Sequence, residues 1–278
     1  MQSVATRGEN MLEFLSYGFV QRGLVAGTLV AVACAILGVF LVLKRLSLLG
    51  DGMSHVCLAG VAVALLTSTS PVYMSVPIVM AASAGILKIT EKFKIYGDAA
   101  IGIVSAVGLS VGLLLTALAG GFNTDLLGYL FGSILTVSTS EAVLCGVLLA
   151  IVLVCLKVFY RYLVSACFDE PFAHTRGVPV ATVNLILVMI TSVAVVLAFK
   201  VVGIFLISAM LIIPPVSALL LSRTFKQVLG LAACFGAASV WVGIWFSFMF
   251  NIPSGATIIL VNLVILLGSF VWSKVYAR

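Results

Sequence analysis

Within the apolar stretch from Leu46 to Leu66, LSLLGDGMSHVCLAGVAVALL, a carboxylate and an imidazole stand four positions apart. On a helix this spacing puts Asp51 and His55 on one face, about one turn from each other. A carboxylate at the depth of bilayer hydrocarbon costs at least about 2.5 kcal/mol, so such residues are retained with a partner or a task. Oxygen and imidazole nitrogen together suit Zn2+, Mn2+ or Fe2+, whereas Mg2+ and Ca2+ prefer oxygen alone. One chain offers two such ligands here, and two copies about a two-fold axis would offer four, the number zinc favours. The expectation is a transient metal site shared by a homodimer with this segment at its axis. The alternative is a pair that merely steadies a helix bundle.

The elements that must carry this pair are membrane helices. Apolar residues make up 63% of the 278 and charged residues 9%, with a mean hydropathy of +1.31, a balance that excludes a water-soluble globule. The expected fold is an all-α polytopic membrane protein, a single transmembrane domain over residues 1–278 with about nine (eight to nine) spans. The net charge of +6 does not point to nucleic acid, because the basic residues sit at the ends of apolar runs. With spans alternating in direction, all but Arg7, Arg22 and Lys200 of the fifteen Lys and Arg fall on one side. The positive-inside rule then gives N-out and C-in. The six cysteines lack C-x-x-C spacing and read as packing residues. The N-terminus carries no sign of a removable signal peptide.

Along the chain, residues 11–23 read as an interfacial helix. Spans follow at about 24–43, 46–66, 72–87, 99–119, 142–158, 180–198, 201–221, 228–250 and 256–272. Residues 126–137 are too few for a span and read as a short outer or re-entrant helix. The polar interruption SACFDEPFAHTRGVP reads as a cytoplasmic helix over 168–177, with Asp169 as N-cap, Glu170 and Pro171 in the first turn, Arg176 in the last and Gly177 as the stop. Gly108 and Gly112 have helix-packing spacing, and Ser54, Asn184 and Asn262 are expected to hydrogen-bond between helices. Pro214 and Pro215 interrupt the seventh span and free backbone carbonyls. Of nine acidic residues and two histidines, only Asp51 and His55 fall within a span.

Several segments resemble the permease subunits of bacterial zinc, manganese and iron ABC importers: LSLLGDGMSHVCLAGVA from Leu46, YLFGSIL from Tyr129, FDEPFA from Phe168 with GVPV from Gly177, VGIFLISAMLIIP from Val202, and PSGATI from Pro253. The resemblance implies a type II importer permease in the bacterial cytoplasmic (inner) membrane. It further implies a homodimer, two copies of a separate ATP-binding subunit, and an extracytoplasmic metal-binding protein. Asp51 and His55 would lie at the metal pathway, and Phe168, Asp169, Glu170, Pro171, Phe172, Ala173 and Arg176 would couple to the ATPase. The chain would then be a transport subunit and not an enzyme, with no permanently bound cofactor, and no G-x-x-x-x-G-K motif is found in it. Zinc is the expected cargo, with manganese or iron next, because Ala59 replaces a proline common in relatives and zinc members tolerate that change. Two rival readings are a proton-coupled secondary metal transporter or channel with Asp51 as relay, and an intramembrane protease. The second lacks a further intramembrane aspartate and has Leu48 where a glycine should stand.

Overall fold

Segments that are apolar all round give a helix no face to show to water, and in lipid every backbone donor must be met within the helix. The computed structural model accordingly consists of helices, and it describes residues 18–118, 137–250 and 252–276. Among these residues there are ten helices and no strand: α1 (Gly18–Leu43), α2 (Leu49–Leu66), α3 (Pro71–Phe93), α4 (Gly97–Leu118), α5 (Thr139–Phe168), α6 (Glu170–Thr175), α7 (Val180–Val202), α8 (Ile204–Leu221), α9 (Phe225–Phe250) and α10 (Ser254–Tyr276). Eight are long and apolar enough to cross a membrane, and the apolar part of α8, Leu206–Leu221, is a shorter ninth.

The two most enclosed helices are α1 and α2, each 72% buried over its apolar window, whereas α4, α5 and α10 are near 20% (22%, 17% and 22%). The bundle is thus built around α1, which packs on α5, α7, α8 and α9, and α2, which packs on α3, α4, α7 and α8. Lipid tails are as apolar as leucine, so these contacts depend on close packing and not on exclusion of water. Gly108 and Gly112 meet that need as expected: side chains there would strike Val56 and Ala59 of α2. Gly38 does the same for α1 and α8. Pro215 has no N–H to offer the Leu211 carbonyl four residues back, and a Cβ on Gly38 would lie 2.1 Å from that oxygen. The helix runs on through Pro214 and Pro215 all the same.

Several boundaries differ from the sequence reading. Residues 18–23 of the expected interfacial helix belong to α1, while 11–17 lie outside the described residues, as does all but Val137 of the expected outer helix at 126–137. The fifth helix continues ten residues beyond the span drawn to Val158 and ends only at Phe168, because Lys157 and Arg161 end the hydrocarbon crossing without breaking the helix. The closely joined sixth and seventh spans are separated by one residue, Gly203, at φ 86, a conformation natural to glycine. The alternation of ends is consistent throughout. Arg22 reaches Thr139 and Lys200 pairs with Glu141 at one end, while Lys44 pairs with Glu170 at the other.

Candidate functional site

Asp51 lies in the first turn of α2, where the helix dipole favours a negative charge. One turn on, His55 Nε2 stands 3.7 Å from Asp51 Oδ2. The other carboxylate oxygen, Oδ1, accepts a hydrogen bond of 3.2 Å from Ser208 Oγ of α8. Ser54, expected to bond between helices, instead donates to the Asp51 backbone carbonyl at 2.6 Å. The residues around the pair, Gly50, Gly52, Met53, Ser54 and Val56, are all buried, but the Asp51 side chain is 52% exposed and that of His55 30%. The pair thus forms a polar strip on a face of α2 that its own chain leaves open.

Asp51, the acid that the sequence places within a span, is not the best enclosed carboxylate among the described residues: Glu141, just ahead of the span expected at 142–158, is 13% exposed and paired with Lys200. Among the described residues no three His, Cys, Asp or Glu come together. Two atoms bound to one tetrahedral ion at about 2.1 Å stand about 3.4 Å apart. The 3.7 Å gap between Asp51 Oδ2 and His55 Nε2 is within a few tenths of what a shared cation would require.

The second set of expected residues forms α6 and its approach. Asp169 is the N-cap, its Oδ1 accepting from the Phe172 N–H at 2.9 Å. Glu170 and Pro171 occupy the first turn, Arg176 is the C-cap, and Gly177 stops the helix at φ 74. Ala173 is fully buried and seats α6 on the bundle, while Phe168 and Phe172 are exposed. The Arg176 guanidinium lies 4.8 Å above the Phe172 ring, and Phe168 meets Phe225 of α9 edge-on at 5.9 Å. Glu170 is occupied within the chain, near Lys44 at 3.9 Å and accepting from Asn184 Nδ2 at 3.1 Å.

Asn262 hydrogen-bonds between helices as expected, donating to Met210 Sδ at 3.7 Å. The six cysteines are free, and Cys57 is buried away from His55. Sequence reasoning missed Ser208 and Lys44. The signal for Ser208 was a hydroxyl within an apolar span; for Lys44 there was none, since half of a basic pair at a span end reads as orientation.

The family model described as the ABC 3 transport family matches residues 16–273. Similar proteins include the manganese transport system membrane protein MntC of Listeria innocua, 32% identical over 93% of this chain and 92% of that one. A probable iron transport system membrane protein of Haemophilus influenzae is 32% identical over 96% and 98%. The solved structure of PsaBC from Streptococcus pneumoniae in complex with Fab superimposes with a TM-score of 0.85 at 30% identity, covering 94% of this chain and 95% of that one.

Proposed function

This chain belongs to the ABC 3 transport family, and from that premise we propose that it is the membrane subunit of an ATP-driven importer of a divalent transition-metal ion. Asp51 and His55 form a transient cargo site, and two protomers facing each other complete it. The observation that carries this reading is the open polar strip: a carboxylate and an imidazole 3.7 Å apart, with Ser208 holding the carboxylate, flanked on the helix by buried residues. A second copy set against that strip would bring the ligand number to four. It would also remove an ionisable pair from lipid, where leaving it is costly.

The cargo is a borderline cation that accepts mixed oxygen and nitrogen ligands. Manganese is the first to test, since the relatives above are named for manganese and iron; zinc, which the Ala59 departure favoured, is the second. Two copies of a cytoplasmic ATP-binding subunit, one per protomer, dock on α6 and the end of α5 through the exposed Phe172 and Phe168. An extracytoplasmic protein delivers the metal to the opposite side of the bacterial cytoplasmic membrane.

The test is reconstitution with the ATP-binding subunit in liposomes and measurement of manganese and zinc uptake. Asp51→Ala and His55→Ala should each abolish ATP-dependent uptake while the dimer persists on size-exclusion chromatography. Uptake at the wild-type rate in both variants would defeat the reading. Uptake by this chain alone, without ATP, would favour a secondary transporter with Asp51 as relay.

A further inference from the structure

The ammonium of Lys44 is nearly enclosed, its side chain 6% exposed, and the carboxylate within ion-pair distance is Glu170 of α6, itself 50% exposed, at 3.9 Å. The same Glu170 oxygen accepts from Asn184 Nδ2 of α7 at 3.1 Å, and the other amide atom of Asn184, Oδ1, is buried without a hydrogen-bond partner. One carboxylate therefore ties the short cytoplasmic helix to the inner ends of two membrane helices. An ammonium this enclosed loses its compensation if Glu170 departs, a costly outcome. Displacement of α6 must accordingly take Lys44 along or break the pair.

What lies beyond Lys44 makes the link informative. The corner from α1 to α2 is closed by backbone hydrogen bonds from Lys44 to Phe40, Arg45 to Val42, Leu46 to Leu41 and Leu49 to Leu46, at 3.0, 3.1, 2.8 and 3.0 Å. Arg45 sits in the left-handed conformation at φ 58. No slack separates Lys44 from the first turn of α2, and Asp51 is in that turn.

We infer that Lys44, Glu170 and Asn184 form the joint that carries movement of α6 to the α1–α2 corner and so to Asp51 and His55. This rests on the reading of the chain as an ATP-driven permease. Lys44 is a positioning residue: it touches neither cargo nor ATPase. Glu170, which the sequence reading placed at the ATPase contact, works inward.

The experiment uses the complete transporter in liposomes. Lys44→Met should leave the yield of co-purified ATP-binding subunit and the rate of ATP hydrolysis unchanged, while metal moved per ATP falls about fivefold or more, the low end of ordinary coupling between sites. Glu170→Lys should be impaired likewise, and the exchange Lys44→Glu with Glu170→Lys should recover import, which places the effect in the pair and not in either side chain alone. Wild-type import per ATP in Lys44→Met, or no recovery in the exchanged pair, overturns the joint. A readout that needs no cargo is the distance between spin labels at the exposed Thr175 and Arg45. Adding ATP should leave it constant in the wild type and change it in Lys44→Met; constancy in both also overturns the joint. Failure of the transport reading itself is separate, since it is judged on wild-type uptake and on Asp51→Ala.

Discussion

Ser208 and Asp51 are 157 positions apart and on different helices, yet the serine hydroxyl donates to Asp51 Oδ1 at 3.2 Å. This leaves Oδ2, the oxygen facing His55, as the one free to meet a cation. The hydroxyl thus selects which oxygen is offered and limits rotation of the carboxylate. Ser208→Ala should raise the metal concentration for half-maximal uptake by about tenfold, matching a hydrogen bond to a charged group worth about 1.5 kcal/mol. Ser208→Thr should stay near the wild type. Equal uptake curves for Ser208→Ala and the parent would show that Asp51 needs no such support.

A prediction on packing comes from the Leu211 carbonyl left without an intrahelical donor by Pro215. Because a Cβ on Gly38 would lie 2.1 Å from that oxygen, Gly38→Ala must push α1 and α8 apart or bend α8. Overpacking of this kind costs about 1–3 kcal/mol. The variant should melt at lower temperature in detergent, and Gly27→Ala, whose Cβ would meet only Val240 at 3.4 Å, serves as the control. Identical melting of the two would remove the argument.

The sequence made much of this legible, for particular reasons. Spans and their alternation follow from apolar runs and the placement of Lys and Arg, and α6 was readable because Asp169, Pro171 and Gly177 each suit one position in a short helix. Asp51 and His55 could be paired because their spacing is local. Ser208, Lys44 and Asn184 could not be paired from spacing, since each finds its partner on another helix. Hydropathy also could not tell that Asp51 lies on an open face while Glu141 is enclosed, because both stand in apolar helices and only the neighbours differ.

At the end of the bundle opposite α6, Glu141 both completes the capping box of α5, one oxygen accepting from the Ser138 N–H at 3.0 Å, and pairs with Lys200 of α7 through the other. Removing the acid leaves a three-quarters buried ammonium, its side chain 25% exposed, without its partner. Glu141→Ala should lower stability by about 2 kcal/mol, from the lost bond to a charged group and the lost cap. Glu141→Gln, which keeps the cap, should lose less. Denaturation in detergent, followed by tryptophan fluorescence, orders the two; equal losses would assign the whole effect to the ion pair.

The last prediction separates two roles of Asp169. If its charge is read by the ATP-binding subunit, as the resemblance alone suggests, then neutralising it by any means should weaken docking. The geometry argues otherwise: Oδ1 is engaged with the Phe172 N–H at 2.9 Å, so the carboxylate shapes α6 and holds Phe172 outward. An N-cap asparagine serves as well as aspartate, whereas alanine costs about 1 kcal/mol, a heavy loss for a helix of six residues. Asp169→Asn should therefore keep the wild-type yield of co-purified ATP-binding subunit, and Asp169→Ala should reduce it. Equal reductions in the two variants would return the charge of Asp169 to the docking surface.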